Sequence, residues 1–149
     1  MINDTRLRGE VNLDGELFGG VTNTGLGRPG INQSFVLFGV EGHNRSSEPE
    51  WRPFYQNVKR EGMWGRELEL LNAPQSTFSN VPLIVDVTGI RTTLPPESQA
   101  TVGSLPGKRV LVILSRYLSA SVFILRGNEG EGWISGPSKK YPVVVVFLG

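Results

Sequence analysis

One histidine stands in the 149 residues, and it has hydroxyls for neighbours: Glu41-Gly42-His43-Asn44-Arg45-Ser46-Ser47-Glu48. An imidazole can serve as general base to a serine hydroxyl, so His43 with Ser46 or Ser47 has the residue types for nucleophilic chemistry. The segment lacks a nucleophile elbow and any recognisable orienting motif. A lone histidine in a polar loop reads instead as a solvated surface residue. Glu67 and Glu69 form the second candidate. Two apart on an expected strand, they point to one face, as paired carboxylates do in glycoside hydrolysis or at a cation site. Opposite Leu68 and Leu70, that face reads as solvent-facing. Asn128-Glu129-Gly130-Glu131-Gly132 offers oxygen ligands but lacks the spaced aspartates of an EF-hand, and reads as a turn. With no cysteine and one histidine, a zinc site would need mostly carboxylates, which is unusual. No catalytic residue, metal or cofactor is expected.

Gly25, Gly27 and Gly30 satisfy Gly-x-Gly-x-x-Gly, the dinucleotide pattern. That motif needs a strand before it and a helix after it. Here Pro29 sits inside, and Ser34 to Val40 reads as a strand. Basic residues cluster at Arg52, Lys59, Arg60 and Arg66, at Lys108-Arg109 and at Lys139-Lys140, with Trp51, Phe54, Tyr55 and Trp64 interleaved. Such mixtures line nucleic-acid grooves. The net charge of +1 gives no global field for nucleic acid or anionic lipid, so neither nucleic acid nor membrane is an expected partner. Trp51, Trp64 and Trp133 supply large rigid rings suited to core packing, to protein interfaces or to stacking on sugars.

The elements that must carry these residues read as short strands split by turns. Glu10 to Phe18 suits a strand, or a hairpin around Asp14-Gly15. Ser34 to Val40 is an apolar run rich in strand formers. Glu41 to Tyr55 reads as a polar loop. Met63 to Leu71 alternates like a half-buried strand. Val81 to Val87 reads as a strand with Pro82 near its start. Leu94 to Gly107 reads as a loop. Val110 to Leu125 admits a strand pair or one helix, and its β-branched content favours strands. It falls about four residues short of the ~20 needed to span a bilayer and holds Arg116 near its centre. Tyr141 to Leu148 is the last strand. Val143 to Phe147 is apolar on both faces, which suits a central strand or pairing across a subunit interface.

These readings give an all-β chain, an antiparallel sandwich or barrel over 34–149 with an extended N-terminal arm over 1–33. From Gly19 to Gln33 the arm has five glycines, one proline and three large apolar residues, too little to build a core of its own, so a surface outside it, such as another subunit, is expected to hold it. A small, cysteine-free, glycine- and proline-rich chain with an extended arm is similar to virion proteins such as phage head-decoration, neck or tail components. The expected function is therefore that of a non-enzymatic structural subunit. Its partners would be copies of itself and other assembly subunits, met through Leu26, Ile31, Trp51, Trp64, Trp133, Val144 and Val146. The alternative is a carbohydrate-binding sandwich, with a glycan on its tryptophans. The start Met1-Ile2-Asn3-Asp4-Thr5-Arg6 leads into no apolar run, so no secretory signal is read, and virion or host cytoplasm is the expected location.

Overall fold

The computed structural model describes residues 8–17, 34–60, 62–128 and 130–147. Among these residues four strands form one sheet in the order β1-β2-β3-β4: β1 Gly9–Leu13, β2 Ser34–Val40, β3 Gly65–Leu70 and β4 Val144–Phe147. β1, β2 and β3 run parallel, and β4 is antiparallel to β3, with Leu70 opposite Val144 and Glu67 opposite Phe147. Helix α1, Trp51–Arg60, makes the crossover from β2 to β3. A parallel pair needs such a connection. Three further helices follow β3: α2 Val81–Thr88, α3 Pro96–Val102 and α4 Gly107–Leu125. The all-β sandwich or barrel is thus overturned. The fold is mixed α/β, with helices packed on a mixed sheet.

The corrections have local causes. In α1 the buried residues Trp51, Phe54, Tyr55 and Val58 recur at helical spacing, and Pro53 lies in the first turn, where its missing N–H costs nothing. In α2 the run expected to be a strand has Pro82 in its first turn and Gly89 at its end with φ 72°, the usual start and stop of a helix. Pro96 and Gly103 bracket α3 in the same way. In α4 the buried stripe is Val110, Ile113, Tyr117 and Ser121. That spacing outweighs the β-branched content of the run.

The sheet is covered on both faces. On one, Val36, Phe38, Leu68, Leu70, Val144 and Val146 pack with Val110, Ile113 and Tyr117 of α4. On the other, Phe35 and Leu37 pack with Trp51, Phe54 and Val58 of α1. The Phe35 and Phe54 rings meet edge to face at 4.6 Å. Because β3 lies inside the sheet, Glu67 and Glu69 are buried beneath the α1 side, not exposed to solvent. Gly107 fixes how closely α2 and α4 approach. A Cβ there would lie 2.3 Å from the Leu83 nitrogen.

Candidate functional site

The carboxyl ends of parallel strands are where α/β sheets place ligands. Here three of those ends carry the polar chemistry. Asp14 directly follows β1 in the left-handed region, φ 58°, and its N–H donates to the Phe38 carbonyl at 2.9 Å. Its side chain is 1% exposed. Oδ1 accepts from the Val40 N–H at 3.0 Å and faces His43 Nδ1 at 3.0 Å. Oδ2 has no hydrogen-bond partner among the described residues. A carboxylate accepts only, so Nδ1–H is the donor in this pair and Nε2 is the nitrogen turned away from Asp14. The His43 side chain is 46% exposed.

Two more carboxylates hold the turn that bears His43. Glu69 Oε1 accepts the Gly42 N–H at 2.6 Å, and its Oε2 accepts from Asn44 Nδ2 at 3.3 Å. Glu67 Oε1 accepts the Arg45 N–H at 2.5 Å, while the Arg45 side chain pairs with Oε2. The guanidinium also lies 3.9 Å over the Tyr55 ring and reaches the Phe147 carbonyl at 3.4 Å. Glu67 and Glu69 therefore tie the loop after β2 down onto β3. They do not stand free as a catalytic pair.

Beyond the ends of β2 and β3 lies a crevice of about 670 Å³, lined in part by Glu41, Asn72, Arg91, Gln99 and Ser104. Glu41 Oε2 accepts the Asn72 N–H at 2.9 Å, tying the two strand ends together. Arg91 Nε donates to Asp86 at 2.5 Å and Nη1 to the Gly103 carbonyl at 2.5 Å. The hydrogen bond from Arg91, followed by that from the Gly107 N–H, holds the Asp86 carboxyl below the usual carboxylate range.

The serines beside His43 do not complete a catalytic set. Ser47 Oγ accepts the Asn44 N–H and donates to the Asn44 carbonyl, both at 3.0 Å. Among the described residues neither Ser46 nor Ser47 bonds to the imidazole, and the sequence contains no Gly-x-Ser-x-Gly. What stands assembled is a base and its orienting carboxylate. Asp14 escaped the sequence reading because 29 residues separate it from His43. The available signal was a small acidic residue with glycine after a strand.

The other singled-out residues lie apart. Trp51 is buried under the sheet. Trp64 is half-buried and donates from Nε1 to Glu131 at 2.8 Å, and Arg66 bonds the same carboxylate at 2.6 Å. Burial pushes the Glu131 carboxyl up, but the hydrogen bonds from Arg66 and Trp64 and the Arg66 charge outweigh it, leaving it below the usual range. Trp133 packs on Tyr141, with ring centroids 5.1 Å apart. Val144 and Val146 are core residues, on a strand that ends the described sheet. Leu26, Ile31 and the Gly25-x-Gly27-x-x-Gly30 run lie outside the described residues. Among the described residues no three His, Asp or Glu side chains are grouped to hold a metal ion.

No family model matches the chain. It is 32% identical over 148 residues to a probable 1-alkyl-2-acetylglycerophosphocholine esterase of Arthroderma benhamiae, a match covering 97% of this chain and 38% of that protein. Its fold superposes on a ferulic acid esterase from Streptomyces cinnamoneus with a TM-score of 0.67 and 26% identity, covering 97% of this chain and 41% of the esterase. The chain thus spans about two fifths of the length of each relative. These likenesses overturn the expectation of a non-enzymatic virion subunit, whether head-decoration, neck or tail, and with it the carbohydrate-binding alternative. Across 97% of its length the chain resembles proteins named as esterases.

Proposed function

We propose that the protein acts in the hydrolysis of carboxylic esters. The carrying observation is the superposition of nearly the whole chain on a ferulic acid esterase. The relative from Arthroderma benhamiae supports the same reaction class from sequence. The two differ in the ester they are named for, so the shared chemistry, attack on an ester carbonyl, is the substance of the proposal. In that reaction these residues supply the sheet, the helices on its two faces and the His43 turn. Among the described residues no serine is bonded to His43, so the nucleophile is assigned elsewhere than beside that imidazole.

The test is made on the native protein. An antibody raised against the 71–105 segment captures it from the cells that make it. The captured protein should hydrolyse p-nitrophenyl acetate and feruloyl esters above background, and a fluorophosphonate probe should label it if the nucleophile is a serine. Intact captured protein without turnover of either ester overturns the proposal.

A further inference from the structure

The net charge of +1 conceals a local asymmetry. Helix α4 carries Lys108, Arg109 and Arg116 and no acidic residue, and Arg126 follows at its C-terminal end. All four basic side chains are exposed. Helical periodicity places Leu111, Val112, Val122 and Phe123 on the side turned away from the buried Val110, Ile113 and Tyr117. These four are exposed apolar residues, Phe123 to 48%. Lys108 and Arg126 bound this outer face at its two ends, and Arg109 and Arg116 flank one side. Arg109 also reaches the Lys140 carbonyl at 3.3 Å, bringing a fifth basic residue alongside.

The neighbouring helix adds to the apolar surface. Ile84 and Val87 of α2 are 53% and 70% exposed. Between α2 and α4 runs a groove of about 320 Å³, lined by residues including Phe78, Pro82, Leu83, Leu111, Leu114 and Leu118. A helix apolar on both its inner and outer faces is ordinarily covered on both. Basic residues ringing an apolar helix face are the pattern of a helix lying in a bilayer interface, with the charged heads rising to the lipid headgroups. Among the described residues no helix is long and apolar enough to cross a membrane, so the geometry is that of a helix lying on the surface.

We propose that the outer face of α4, with the adjoining edge of α2, docks on an anionic lipid surface. The apolar side chains enter the headgroup boundary, and Lys108, Arg109, Arg116 and Arg126 meet the lipid phosphates. This assignment is independent of ester turnover, because binding is measured without it.

The test uses the full chain with vesicles of phosphatidylcholine, alone or mixed with phosphatidylglycerol. Sedimentation should carry the chain down with the mixed vesicles at low salt, and added salt should release it. Lys108→Gln and Arg116→Gln should each weaken partitioning about fivefold. Val122→Glu with Phe123→Glu should abolish it while the circular dichroism of the fold is kept. Phe123→Trp gives a gain of signal, since its emission should shift to the blue on mixed vesicles only. Failure to sediment with mixed vesicles overturns the proposal, as does equal binding to phosphatidylcholine alone. So does a dimer in light scattering that Phe123→Glu dissociates, because the occupant would then be a second copy of the chain.

Discussion

Replacing Arg45 by methionine removes the guanidinium from a carboxylate that has nowhere else to go. The Glu67 side chain is 0% exposed and is held between β3 and the loop after β2. Breaking a buried pair by deleting one partner costs about 3–5 kcal/mol, because the other charge is left without compensation. The remaining Arg45 N–H still donates to Oε1, which puts the expected loss at the lower end. The lost stacking on Tyr55 returns some of that reduction, by about 0.5–2 kcal/mol. The sum is about 3.5–5 kcal/mol, which for a chain of this size lowers the melting temperature by roughly 10–15 °C. Thermal unfolding followed by circular dichroism reads it directly. The double variant Arg45→Met with Glu67→Leu should recover most of the loss, since apolar residues of similar volume replace buried pairs at little net cost. A single variant within about 1 kcal/mol of the parent would refute the reasoning, for it would mean that Glu67 is effectively solvated.

Three further outcomes follow from the same contacts. Asp14→Asn keeps an acceptor for the Val40 N–H and tolerates the positive φ, so urea unfolding should show a loss of about 1 kcal/mol, whereas Asp14→Ala should lose about 2–4 kcal/mol. Asp86 is held below its ordinary range, so its contribution is present above the unfolded value of about 3.9 and is lost as pH falls through the lower folded value. Asp86→Asn should therefore flatten the acid limb of a stability–pH curve and leave the neutral limb parallel to the parent's. Gly107→Ala drives a Cβ against the Leu83 backbone and should destabilise by about 1–3 kcal/mol in chemical denaturation, with α2 and α4 forced apart.

The strands were legible in the sequence where one residue pattern admits one structure. Ser34–Val40 is rich in strand formers and has no proline in its first turn, and the expected strand at Met63–Leu71 contains β3. The helices were missed where a short apolar run satisfies both periods. Val81–Val87 is such a run, and its deciding marks were Pro82 and Gly89 at the ends, not the residues between. In Val110–Leu125 the stripe Val110, Ile113, Tyr117 was present, but it competed with β-branched residues that face outward. Glu67 and Glu69 were read on the right strand and on one face. Their burial was not legible, because a strand's position inside a sheet depends on partners distant in sequence. His43 was visible as the lone histidine. Its carboxylate was not, since the contact with Asp14 exists only once β1 lies beside β2.

That dependence gives β1 a role beyond its five residues. The unit β2-α1-β3 closes over a short stretch of chain and is bonded on both sides of β2 and β3. Among the described residues β1 is bonded to β2 alone, and every one of its residues is half-buried. Such an edge opens at a lower free energy than the sheet interior, so its amides should exchange with solvent hydrogen ahead of those in β2 and β3. When β1 opens it carries Asp14 away, which frees the Val40 N–H and the imidazole in the same step. The orientation of His43 is thus tied to an edge strand of the described sheet, and the fraction of time that β1 is docked is the fraction of time that the histidine is aimed.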